Sequence, residues 1–173
     1  MELYKKYRPK RLEDIIGQSG AVNILSEMIE SNRIPHSIMF SGGSGVGKTS
    51  ISRILAKMLG CSPMDYDEIK ASESRGIDTI REISSRMSLS PLQGKCRVWC
   101  LDEAANLTRR TGGDAQTALL KLLEDTPSHV YFFLCTTDPH KIIRTIRDRC
   151  SPMTIAPVSE DVLKAHIQKV AGK

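Results

Sequence analysis

The run Gly42-Gly43-Ser44-Gly45-Val46-Gly47-Lys48-Thr49 fits the pattern G-x-x-x-x-G-K-[ST], and no other stretch so narrows what this chain can fold into. Glycine permits backbone conformations that a side chain would forbid, so consecutive N–H groups turn inward and wrap a phosphate at the positive end of a helix dipole. Such a loop needs a strand before it and a helix after it. His36 to Ser41 (HSIMFS) reads as a buried strand, and Ile51, Ile54, Leu55, Met58 and Leu59 recur at the spacing of one helix face. Lys48 can then reach the β and γ phosphates, Ser50 continues the cradle, and the Thr49 hydroxyl is placed to ligate Mg²⁺. The alternative, a glycine-rich turn that matches by chance, leaves the flanking strand and helix unexplained.

From about residue 19 onward, short apolar runs alternate with helical patterns, the signature of an α/β fold with a mostly parallel sheet covered on both faces. Val22, Leu25 and Ile29 predict a helix ahead of the first strand; Ile77, Ile80, Ile83 and Met87 predict another. Cys96 to Leu101 reads as a central strand, and Ala115, Ala118, Leu119, Leu122 and Leu123 as a further helical stripe. Val130 to Cys135 (VYFFLC) is apolar throughout, as a strand buried on both faces should be. Lys141 to Ile146 is read as a helix, and a last pattern (Leu163, Ile167, Val170) begins at Ser159.

A chain of 173 residues can bury one good core but not two ordinary domains. No apolar run approaches the roughly 18 residues of a membrane span, and the opening MELYKKYRPKRL lacks the apolar stretch of a secretory signal, so a cytoplasmic location and no membrane partner are expected. The net charge of +5 is compatible with a polyanionic partner such as nucleic acid. The five cysteines are odd in number, three lie in or beside strand-like runs, and no C-x-x-C pair exists. Reduced, buried thiols are expected, not a zinc site.

Three further signals carry chemistry. Val98-Trp99-Cys100-Leu101 ends in Asp102-Glu103, and strand ends are where α/β sheets hold ligands. Asp102 is suited to the Mg²⁺ hydration shell, and Glu103 to orienting and polarising an attacking water for in-line phosphoryl transfer. The plainer alternative is an acidic pair that caps a strand and starts a helix. Thr136-Thr137-Asp138 follows the VYFFLC run, where a hydroxyl can touch a γ-phosphate or simply close a turn. Arg147-Asp148-Arg149-Cys150 offers guanidinium groups whose ordinary fate is solvation.

Taken in order, these residues resemble the AAA+ clamp loader ATPases, in particular the bacterial gamma/tau subunit of DNA polymerase III and the phage, archaeal and eukaryotic replication factor C relatives. The resemblance spans essentially the whole chain: Tyr4-Lys5-Lys6-Tyr7-Arg8-Pro9, Leu12 to Gln18, the glycine loop, Arg75 to Arg81, Asp102-Glu103, Ala118 to Glu124 and Thr136 to Lys141. It implies a P-loop core with a five-stranded parallel sheet between helices over residues 1–157, and the start of a helical lid, truncated or vestigial, over 158–173. It implies ATP and Mg²⁺ as cofactors, with an adenine pocket lined by Tyr7, Arg8, Pro9, Ile15, Ile16 and Gln18. Thr137 takes the part of the γ-phosphate sensor, with Thr136 as the fallback, and Arg149 that of an arginine acting in trans on the next subunit's ATP. The implied partners are other loader subunits in a ring, a sliding clamp and primer-template DNA.

Three departures stand out. Only Cys61 occupies the region where gamma/tau proteins carry four zinc cysteines, a phage-like trait; the serine expected before Arg149 is Asp148, an acid able to weaken or reorient the arginine; and the chain ends soon after the lid begins. The stretch Asn106 to Gln116 reads as a long loop whose Arg109 and Arg110 face DNA phosphates in relatives. Two rivals remain: another AAA+ DNA motor of the Holliday-junction branch migration type, and a non-hydrolysing subunit that only completes a ring.

Overall fold

The computed structural model describes residues 7–73, 76–108 and 113–171. Its strands are Ser37–Ser41 (β1), Tyr66–Lys70 (β2), Arg97–Asp102 (β3), Val130–Thr136 (β4) and Ser151–Thr154 (β5). They form one five-stranded sheet in the order β2-β3-β4-β1-β5, every neighbouring pair parallel, as expected. The helices are Ser19–Glu30 (α1), Lys48–Met58 (α2), Ile77–Met87 (α3), Gly113–Glu124 (α4), Arg144–Arg147 (α5) and Glu160–Ala171 (α6).

Period-two alternation divides the strands between two cores. Trp99, Leu101, Phe132 and Leu134 pack with Ile80 and Ile83 of α3 and Leu119 and Leu122 of α4. The intervening Val98, Cys100, Phe133 and Cys135 pack with Leu25 of α1 and with Ile51 and Leu55 of α2 on the other face. Each fully buried side chain of this size contributes about 1.5–3 kcal/mol, which is why the central strands show no polar face. Trp99 is 1% exposed, and the Arg86 guanidinium lies 5.1 Å from its ring centre. All five cysteines carry free thiols, four of them buried.

The amino end of the sheet is closed by a buried acid. Asp65, just before β2, accepts hydrogen bonds from the N–H groups of Leu92, Gln93 and Gly94 and from the Ser62 hydroxyl, while Arg97 of β3 approaches to 3.7 Å. Burial pushes the Asp65 carboxyl up, but those hydrogen bonds outweigh it and hold the group well below the usual carboxylate range.

Two segments differ from expectation. The helix read over Lys141 to Ile146 is broken: a 3₁₀ turn covers Pro139–Lys141, α5 begins only at Arg144, and Ile142 and Ile143 between them are extended. The break persists because Ile142 is buried in the core and the Ile143 N–H donates to the buried Gln116 carboxamide at 2.8 Å. Of the stretch Asn106 to Gln116, read as loop, the described residues are helical: a 3₁₀ helix spans Ala104–Thr108 and α4 starts at Gly113. Tyr4 to Lys6, Arg75, Arg109 and Arg110 lie outside the described residues.

Candidate active site

The carboxyl ends of β1, β4 and β3 lie side by side, with Ser41 in register with Thr136. At this edge β1 runs into the glycine loop. The Gly42 N–H donates to the Thr136 carbonyl at 3.2 Å, and a Cβ at Gly42 would fall 2.2 Å from the Ile155 carbonyl oxygen. No side chain fits there, so the loop lies tight against the strands on both sides. Gly47, the N-cap of α2, has φ +99, a left-handed conformation that turns the chain into the helix with its first N–H groups facing the loop.

Lys48 is 8% exposed, and its ammonium donates to the Gly42 and Gly43 carbonyls at 2.9 and 2.6 Å. Its charge is thereby held inside the curl of the loop. The Thr49 hydroxyl donates to Asp102 Oδ2 at 3.1 Å, joining the start of α2 to the end of β3. The other oxygen, Oδ1, accepts the Glu103 N–H at 3.1 Å. Glu103 itself has φ +53, a region that costs a non-glycine residue about 1–3 kcal/mol and that collects at functional sites. Its carboxylate accepts from Asn106 Nδ2 at 3.1 Å.

A cavity of about 270 Å³ opens over these groups, lined by Ser44, Gly45, Gly47, Lys48, Thr49 and Ser50 from the loop and α2 and by Asp102 and Glu103 from the end of β3. Thr136 and Thr137 both reach it. The two differ in freedom, because Thr136 is buried and its hydroxyl accepts the Asp138 N–H, whereas Thr137 is exposed. Arg8 lines the same cavity and also a second one of about 360 Å³. There Tyr7, Pro9 and Ile16 face His166, Lys169 and Val170 of α6. The i, i+3, i+4 spacing of those three marks them as one helix face, a signal the sequence reading passed over.

Four of the residues assigned from sequence lie away from these cavities. Ile15 packs against the α1/α2 core, and buried Gln18 donates its amide to the Ala156 carbonyl, fastening the segment that follows β5. Val46 also turns inward to that core. Arg149, at the end of α5, lies on the surface with its guanidinium bonded to Glu124. Asp148 turns aside and accepts from Arg144 at 3.4 Å, so the acid adjacent in sequence is not the one that holds Arg149.

The donor set fits a magnesium nucleotide. The start of α2, an ammonium, a hydroxyl and a carboxylate line one cavity, and a wider cavity adjoins it through Arg8.

Comparison with known proteins places this architecture. Residues 64–159 match the protein family described as DNA polymerase III, delta subunit. The chain is similar to DNA polymerase III subunit gamma/tau of Mycoplasma pneumoniae, 32% identical over 99% of the chain and 28% of that protein. It is similar as well to the gamma/tau subunit of Mycobacterium bovis, 36% identical over 86% of the chain and 29% of that protein. It therefore spans under a third of the length of these relatives. Among solved structures it resembles the Thermotoga maritima RuvB Holliday junction branch migration motor, with TM-score 0.73 and 21% identity over 96% of the chain and 54% of that one. At that identity the likeness is one of fold.

Proposed function

Since the chain belongs to the DNA polymerase III delta-subunit family of AAA+ clamp loader subunits, we propose that it binds ATP and Mg²⁺ and hydrolyses ATP within a ring that places a sliding clamp on primer-template DNA. The observation that carries this reading is the Thr49–Asp102 hydrogen bond beneath the loop that holds Lys48. It joins the two elements that a metal-bound triphosphate must bridge, and gives both a side chain suited to Mg²⁺.

The residue roles follow from position. The loop N–H groups and Lys48 hold the phosphates, Thr49 and Asp102 hold the metal, and the second cavity takes the base between Tyr7 and α6. Bound Mg²⁺ supplies charge neutralisation on the transferring phosphate. Glu103, released from Asn106, orients the attacking water and takes its proton. Thr137, the exposed hydroxyl of the pair, contacts the γ-phosphate. Arg149 reaches the nucleotide of the adjoining subunit. The likeness to a branch migration motor extends to the fold and gives that rival no residue of its own.

Titration calorimetry with magnesium nucleotide tests the first step, with saturable heat for the parent chain and none for K48A as the expected result. ATPase assays of the native oligomer, with and without primed DNA and a sliding clamp, test the rest. A turnover that neither DNA nor clamp raises would reject the loader reading, while absent calorimetric heat would reject nucleotide binding itself.

A further inference from the structure

Arg149 is tied to α4 in a way its surface position does not require. Glu124 is the last residue of that helix, where a carboxylate faces the negative end of the dipole and is unfavourable without a cation beside it. The cation is Arg149, whose Nη2 donates to Glu124 Oε1, while Nη1 donates to the Thr145 carbonyl at 3.3 Å. Two of the five N–H groups of the guanidinium are thus taken by its own chain. The two side chains are 41% and 44% exposed, so their pairing contributes little to stability. What such a contact does supply is direction, because a side chain with four rotatable bonds is held to one aim.

The rest of the segment is splinted to the same helix. Ile142 and Ile146 share a core with Leu119 and Leu122, and Gln116 accepts the Ile143 N–H. Asp148 is occupied by Arg144 and does not compete. We propose that Glu124 is a positioning residue that aims Arg149 at the neighbouring subunit's nucleotide. This rests on the reading of Arg149 given above. The pair is weak and solvent-exposed, so the guanidinium can turn its remaining N–H groups to a triphosphate without breaking anything buried.

The test is a double-mutant cycle on the native oligomer, purified through an affinity tag on the full chain, with ATP turnover as readout. R149A should lower kcat by about a thousandfold or more. E124A should lower kcat by roughly ten- to a hundredfold, with KM for ATP within about twofold of the parent. E124Q, which keeps an acceptor oxygen, should recover most of that loss. The double variant should match R149A alone, since Glu124 acts only through the arginine. An E124A turnover equal to the parent's, or losses that multiply in the double variant, would overturn the positioning role and leave Arg149 intact as a trans-acting group. An R149A oligomer with parental turnover would instead overturn the reading of Arg149, and this proposal with it.

Discussion

The two ends of the sheet are built on opposite principles. At the amino end a charge is buried and answered: Asp65 takes four hydrogen bonds and faces Arg97, and the loop before β3 is shaped around that carboxylate. At the carboxyl end the polar groups are half-open and Glu103 sits in a costly backbone conformation. The difference separates stability from chemistry. One end can hold the strands in place so that the other can keep groups poised and changeable.

The separation is sharpest if substitutions of the proposed catalytic groups and of the buried Asp65 network move different observables. R149A should cut turnover of the native oligomer by about 10³–10⁵-fold while leaving the thermal midpoint and the magnesium-nucleotide affinity of the isolated chain unchanged; a matching loss of affinity would place the residue in its own subunit's site. E103Q should lower turnover by about 10²–10⁴-fold and preserve nucleotide binding by calorimetry. A variant that hydrolyses normally would remove Glu103 from the reaction.

D65A should do the reverse, lowering the free energy of unfolding by about 3 kcal/mol in denaturant titrations, since it strands Arg97 and three backbone N–H groups. The folded fraction should still bind nucleotide. Because the Asp65 carboxyl titrates below its unfolded value of about 3.9, its stabilisation is complete above that pH and is lost as pH falls through the depressed folded value. Parent stability should therefore fall more steeply in acid than that of D65A. R144A, which breaks only the exposed pair with Asp148, should change stability by less than about 0.5 kcal/mol. A larger loss would mean that the surface segment bearing Arg149 is more rigid than its exposure suggests.

What could be read from the chain follows the same division. β1, β3 and β4 were legible because both faces are buried and their central residues are apolar. β2 and β5 were not, for they are the edges: YDEIK is half-buried and polar, and SPMT carries a proline that only an edge strand tolerates. The glycine loop, Lys48, Thr49 and the acid pair were legible as a set because their spacing encodes backbone geometry. The Asp65 network, the Glu103–Asn106 contact and the Glu124–Arg149 pair were not, since each joins residues through turns or tertiary contacts that carry no period. The helix misread over Lys141 to Ile146 is of the same kind: its apolar spacing is genuine, but a carboxamide from α4 claims the Ile143 N–H.

One further consequence comes from Trp99. It is the chain's single indole, shielded from solvent, flanked by a cation, and three residues before Asp102 on the same strand. The protein therefore carries its own optical gauge: shifts in ultraviolet emission during rapid mixing with nucleotide would register rearrangement at that strand without any attached dye.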